Sequence, residues 1–496
     1  MTITKNAIAN YVGKFYVIFI GIVILPLYMS YLGDEAYGLV GLFTVVQSWM
    51  QLLNMGLSPT LGREAAKAKV LQSGFNKFYK ILVSYELIFL VITLVVSLAG
   101  ISLYDWLATS WLNIEKINTD VVGTCIALIF ISAVVRFQTS LYRSGIMGLE
   151  HQIYVNKVDV FVVSLRFIGG LFLVAIITSD IIYFFVYQLV IACVELVVFR
   201  TKLFCLVPTK EKSNYKFYRS NVSSTLPFAM GVAYTASIWV LVTQVDKAIL
   251  SSVLTLSEFG YYTLVALIVG GILQLSQPLA EALRPRLTAL AEQGAEEELY
   301  RLYLFGTQLV AAITLSASFV IAFNSKALVF MWTGNETAAS WAEEVLFWFA
   351  LGNGLLAVGT FQYYLQFAYG KLKLHVLGAT ISASIQIPII AFAAIDYGAV
   401  GAAKAWFGVR LLFFLCWTPI VHAKFRQGFH KVWLLKGLLL VAVLPLLVVL
   451  FSRPLLASSI VRIDQLVLIT AISFVSLSFS LVAIPKVRNR LKGWLF

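Results

Sequence analysis

The chain is 496 residues long, 60% hydrophobic and only 12% charged, with a mean hydropathy of +0.88, which excludes a soluble multidomain protein of this size. Its apolar residues come in runs of about twenty, the length a helix needs to cross roughly 30 Å of hydrocarbon, whereas an outer-membrane barrel would show short alternating segments. The formal charge of +13 therefore reports first on membrane orientation rather than on nucleic acid. Four scattered cysteines, Cys125, Cys193, Cys205 and Cys416, signal neither a disulfide framework nor a zinc site.

In chain order, hydropathy predicts fourteen spans, near 8–31, 37–58, 81–104, 120–142, 158–178, 181–201, 226–251, 259–283, 302–325, 343–369, 375–395, 399–420, 437–451 and 464–484. The first lacks a small-residue cleavage site after it and is too long for a signal-peptide core, so it is read as a retained span. Between it and the second lies SYLGDEAYGLVGL, a tight turn in which Gly33 and Gly38 relax the backbone and Asp34 and Glu35 are expected to face water. Alternating the connections puts most of the 37 Lys and Arg residues on one side, in loops 59–80, 136–157, 200–219, 284–301, 371–373 and 422–436 and the tail. The other side holds only Lys116, Lys247, Lys326, Lys404, Arg453 and Arg462, so both termini are expected in the cytoplasm. No extramembrane segment exceeds about twenty residues, a length with no room for a soluble catalytic domain. Segment 286–300, RLTALAEQGAEEELY, reads as a helical connector with a solvated acidic face.

SEFGYYTL at 257 repeats the pattern of the opening turn. Aligning Gly38 with Gly260 leaves the second and eighth spans in register at an offset of 222 residues. The expected architecture is all-α and polytopic, with two pseudo-symmetric six-helix lobes, 1–220 and 221–430, and an appendix, 431–496, carrying spans thirteen and fourteen.

Polar groups inside hydrocarbon are costly, which makes them the candidates for function. Gln47, Gln51, Asn54 and Ser58 recur at intervals of four, three and four on one helical face, and Gln274, Gln277 and Glu281 form a comparable stripe in the eighth span. Asn6, Asn10 and Lys14 make a third. These stripes either fasten helix to helix or line a cavity. Arg410 lies halfway along its span, too deep to snorkel easily, whereas Lys14 and Arg166 sit nearer an end. Asp159 and Arg166, seven apart, are placed to neutralise each other. Glu86, Asp159, Glu195 and Asp246 are the carboxylates placed to carry a coupling ion, with ion pairing or interface placement as the competing readings. The histidines His151, His375, His422 and His430 show no metal spacing and read as interfacial. Many amides and several cations, with no paired carboxylates and no nucleophile triad, favour binding over bond breaking; no cofactor is implied.

Four stretches carry a resemblance: YLGDEAYGLVGLFTVVQSWMQLLNMGLSPTLGREAAKA, QVDKAILSSVLTLSEFGYYTL at 244–264, RPRLTALAEQGAEEELYRLY at 284–303 and QFAYGKLKL at 366–374. Together they resemble the Wzx-type polysaccharide flippases of the MOP superfamily, relatives of MurJ-type lipid II flippases and MATE drug exporters. The resemblance implies two six-helix lobes moving undecaprenyl-diphosphate-linked oligosaccharide across a bacterial inner membrane by alternating access, with H+ or Na+ coupling in many members and polymerase or export machinery as partners. It implies Lys14, Arg166 and Arg410 as anion ligands and Gln47, Gln51, Asn54, Gln274 and Gln277 as sugar contacts. Where the family often places an aspartate near the end of the second span, NMGL places Asn54, so any coupling uses another acid. A multidrug exporter of the same superfamily, which would favour an acidic aromatic pocket, and a membrane glycan polymerase or ligase, which would present a large outer loop with catalytic Arg or His, remain the alternatives.

Overall fold

A computed structural model describes residues 2–70, 74–208, 215–457 and 462–489, with side chains outside 2–15, 18, 70 and 453–457. Among them the chain is almost entirely helical and has no strand. The helices are α1 (Thr2–Leu32), α2 (Asp34–Leu53), α3 (Leu57–Val70), α4 (Gly74–Trp106), α5 (Thr119–Gly148), α6 (Gln152–Ser164), α7 (Ile181–Leu206), α8 (Arg219–Val253) and α9 (Leu256–Glu292). They continue as α10 (Glu296–Phe323), α11 (Ser325–Thr333), α12 (Glu336–Thr360), α13 (Lys373–Phe425), α14 (Leu440–Ala457) and α15 (Arg462–Ala483). Wider π turns extend α4 through Trp111 and α6 in two steps to Ile177, and another, Trp433–Leu439, leads into α14.

Twelve helices among the described residues are long and apolar enough to cross a membrane. One of them is α13, whose 53 residues hold two of the predicted spans, 375–395 and 399–420. Gly398 divides them at φ 61 and ψ −149, a conformation that is essentially confined to glycine. With α1, whose described apolar part is Phe19–Leu32, each of the fourteen predicted spans has its helix. Parts of two stretches expected as connections, 59–70 and 326–333, are helical instead, in α3 and α11.

The chain divides into two compact units, Met1–Gly260 and Tyr261–Phe496. Helix α8, which the repeat assigned to the second lobe, packs within the first unit against α2, α3 and α4. In that unit Phe89 stacks on Phe137 with ring centroids 4.4 Å apart, while Tyr28 and Phe184 meet edge to face at 5.0 Å. The core of the second unit gathers Leu287, Tyr303, Phe361 and Trp433, all 1% exposed or less.

The turn at Gly33 is built differently from its sequence reading. Glu35 is buried, and its carboxylate accepts from the backbone N–H groups of Glu115 (2.7 Å), Lys116 (2.9 and 3.1 Å) and Ile117 (3.1 Å). A carboxylate that gathers several N–H donors is satisfied without water, so the expectation of an exposed Glu35 is corrected. Asn113 in the same loop donates to the carbonyls of Ser252 and Leu254. Three turns predicted to share one side are thereby tied together. A Cβ on Gly38 would fall 2.0 Å from the Leu256 carbonyl oxygen, so only glycine allows the two helix starts to approach. On the opposite ends, Lys69 pairs with Glu150 and Arg426 with Glu297, and the Lys69 ammonium holds the Glu150 carboxyl below its ordinary range.

Candidate functional site

In the first unit a charged cluster assembles from α5, α6 and α7. Gln188 and Glu195, seven apart on α7, present one face. Arg166 lies in the π turn Leu165–Gly169 and donates to Glu195 Oε2 at 2.7 Å. A π turn leaves carbonyls without their usual helical partners, and here the Arg166 carbonyl accepts from the Tyr28 hydroxyl at 3.0 Å and from Gln188 Nε2 at 3.2 Å. Arg136 joins through the other end of that amide, donating from Nη2 to Gln188 Oε1 at 3.1 Å with its guanidinium 4.7 Å above the Phe43 ring.

Two expectations change here. The charge count assigns Arg136 to the loop 136–157, although the predicted span 120–142 contains it, and it sits inside α5, which continues to Gly148. Asp159 does not neutralise Arg166: it pairs with Arg143, reached from α5, while the π turn directs Arg166 to α7.

Glu86 on α4, 1% exposed, accepts from the Tyr142 hydroxyl at 2.6 Å and from Arg200 Nε at 2.7 Å. Gln138 donates to Tyr142 and accepts from Thr93, so a hydrogen-bonded ladder runs from α4 through α5 to α7. Burial and the neighbouring Glu86 carboxylate push the Tyr215 hydroxyl up to about 12. Asp246 on α8 is buried with Lys247 Nζ 3.4 Å away.

In the second unit Arg410 is 7% exposed. Its Nη2 donates to Gln386 Oε1 at 2.5 Å, Nη1 to Ser382 Oγ at 3.5 Å, and the guanidinium lies 4.3 Å over the Trp406 ring. Trp406 donates in turn to Asn353 Oδ1, whose amide donates to the Val269 carbonyl. The arginine thus joins both halves of the kinked α13 and reaches α9 through α12. His422 is fully buried within the second unit, 3.0 Å from the Tyr303 hydroxyl and 3.0 Å from His430 Nδ1.

The amide stripes behave unequally. Gln51, Gln274 and Gln277 are exposed and Gln47 is half-buried. Asn54 is buried, and its Oδ1 accepts from the Ser58 N–H at 2.9 Å across the break between α2 and α3, where Met55 and Gly56 have φ of 46 and 68. That break ends the expected stripe: Ser58 belongs to the next helix. The side chain of Lys14, with Asn6 and Asn10, lies outside those described. No group of three or more His, Cys, Asp or Glu side chains among the described residues is arranged to hold a metal ion.

Residues 3–291, more than half the chain, match the family model described as polysaccharide biosynthesis protein. The chain belongs to that family. The chain shares its fold with a lipid II flippase MurJ in an inward closed conformation, at a TM-score of 0.71 and 13% identity, over 97% of this chain and 98% of that one. An inward-facing multidrug-resistance MATE transporter of the MOP superfamily gives 0.67 and 12%, over 83% and 96%. The MATE multidrug transporter DinF-BH gives 0.61 and 12%, over 86% and 96%. No curated protein matches by sequence. At these identities the structures establish a common fold.

Within that fold the chain holds Arg136, Arg166 and Arg410 along helices of spanning length; Arg166 donates to the Glu195 carboxylate and Arg136 to the Gln188 amide. Nothing in their arrangement supplies a nucleophile with an adjacent base.

Proposed function

We propose that this protein translocates undecaprenyl-diphosphate-linked oligosaccharide repeat units from the cytoplasmic to the outer leaflet of a bacterial inner membrane by alternating access between two six-span lobes, 1–220 and 221–430. Both termini lie in the cytoplasm. Lys14, Arg166 and Arg410, with Arg136 added, meet the diphosphate or acidic sugars, and Gln47, Gln51, Asn54, Gln274 and Gln277 meet sugar hydroxyls. The observation that carries the reading is a fold shared with a lipid II flippase over 97% of the chain, in a member of a polysaccharide biosynthesis family. Glu86, buried in a hydrogen-bonded ladder, is the first candidate for a coupling proton, ahead of Asp159, Glu195 and Asp246. A polysaccharide polymerase or export complex takes the product.

A multidrug exporter would need a carboxylate open to a cationic ligand. Here Glu86, Asp159 and Glu195 each already hold an arginine, which weighs against that reading. Deleting the gene should leave one undecaprenyl-linked repeat unit accumulating on the cytoplasmic face; its normal appearance outside would refute translocation. Arg410→Ala should abolish export at normal expression and Arg410→Lys should keep part of it, whereas a fully active alanine variant would remove Arg410 from the site.

A further inference from the structure

The second unit contains a cavity of about 910 Å³ where the ends of α9 and α10, the π turn before α14 and the segment after α15 converge. Arg286, Arg301, Lys436 and Lys486 line it, against a single acid, Glu298. None of these four bases takes part in an ion pair among the described residues. Gln308 braces the wall by donating to the Lys436 carbonyl at 2.9 Å. Beneath the charges the lining turns apolar, with Phe305, whose ring lies 4.6 Å under the Lys486 ammonium, and Leu440.

We infer that this cavity binds the headgroup of an acidic glycerophospholipid. Its size falls at the upper end of ligand cavities, roughly 300–1,000 Å³. The charges stand at the ends of apolar helices: Arg301 is in the second turn of α10, Lys436 just precedes α14, and Lys486 follows α15. Headgroup phosphates lie at that depth of a bilayer, and basic pockets between spans recognise them. Leu435, Leu439 and Leu440 are exposed beside Lys436, so an acyl chain leaving the cavity finds an apolar surface, whereas a soluble anion would use the charges and leave the apolar part empty. The inference rests on the spans alone and is independent of what the protein transports.

The test is native mass spectrometry of the purified full-length protein, titrated with phosphatidylglycerol or with phosphatidylcholine of the same acyl chains. Phosphatidylglycerol should bind in preference. Each basic residue near an acidic headgroup contributes roughly fivefold, so Arg301→Gln should weaken phosphatidylglycerol by about that factor. The triple variant Arg286→Gln, Arg301→Gln, Lys486→Gln should lose on the order of a hundredfold at unchanged phosphatidylcholine binding. Glu298→Gln removes the one opposing charge and should tighten phosphatidylglycerol, an effect misfolding cannot produce. Lys371→Gln, at an exposed base outside the cavity, should leave the preference intact. Equal binding of the two lipids, a triple variant that keeps its preference, weaker binding by Glu298→Gln, or an equal loss with Lys371→Gln would each overturn the inference.

Discussion

Glu195→Gln tests the charged cluster most directly. In the native protein Arg166 and Glu195 are 2.7 Å apart, with side chains only 18% and 11% exposed, and Arg136 is linked to the same site through Gln188. Neutralising Glu195 takes from Arg166 the carboxylate it donates to and leaves two arginine charges in the cluster. Removing one partner of a buried pair costs about 3–5 kcal/mol, most of it the desolvation of the charge left behind, while replacing both partners is close to neutral. The double variant Arg166→Gln, Glu195→Gln should therefore recover most of the stability lost by the single one. Thermal unfolding in detergent, measured for both variants and for Arg166→Gln, gives the coupling between the two sites. Export measured in the same variants then separates roles. If Arg166 receives the diphosphate, the double variant is stable yet inactive; if the pair only fastens α6 to α7, it is stable and active. A Glu195→Gln protein as stable as the native one would refute the ion-pair reasoning itself.

Three further outcomes follow from particular contacts. Glu35→Ala deprives three backbone N–H groups of an ionised acceptor, but residues 115 and 116 are exposed and water replaces part of it, so the loss should be about 2–3 kcal/mol by chemical or thermal unfolding; an unchanged midpoint would contradict the anchor. In a background without Cys125, Cys193, Cys205 and Cys416, Gln51→Cys should react with a water-soluble thiol reagent and Asn54→Cys should not, since Gln51 is exposed and Asn54 is 8% exposed; equal reactivity would remove the contrast between them. Glu86→Gln keeps an oxygen for Tyr142 and Arg200 but cannot exchange a proton, so export should stop responding to a proton gradient, and a retained response would move coupling elsewhere.

Span number and placement were legible because both depend on a property that accumulates along the chain. A run of about twenty apolar residues announces a helix whatever it packs against. Gly38 and Gly260 align as equivalent positions of a repeat; that they also meet, with Asp34 O and Gly38 N each 3.1 Å from a Cβ on Gly260, does not follow from the repeat. Less legible were features set by one local irregularity. The stripe Gln47, Gln51, Asn54, Ser58 assumed an unbroken helix, and the positive φ at Met55 and Gly56 ended it. NMG is a recognisable turn signal, with an Asn that caps and a Gly that takes left-handed backbone, and it was the one cue in the sequence against the stripe.

Partner choice among the buried charges was the part hidden from sequence, for a physical reason. Seven-residue spacing brings Asp159 and Arg166 to one face only if every turn holds 3.6 residues, and the π turn that begins at Leu165 breaks the count. The charge count puts Arg136 with the loop 136–157 although the span 120–142 contains it; its helix runs on for twelve residues beyond it, to Gly148, so a charge taken as the edge of the membrane span is not at the edge of the helix. The first error concerns rotation, a quantity that hydropathy averages away, and the second the position of a helix end. They meet at one amide, since Gln188 holds Arg136 by its oxygen and the π-turn carbonyl of Arg166 by its nitrogen. A lone glutamine in an apolar helix is costly unless both ends are used. The Gln188 amide therefore requires a donor and an acceptor from neighbouring elements, and the structure supplies them as the Arg136 guanidinium and the Arg166 carbonyl.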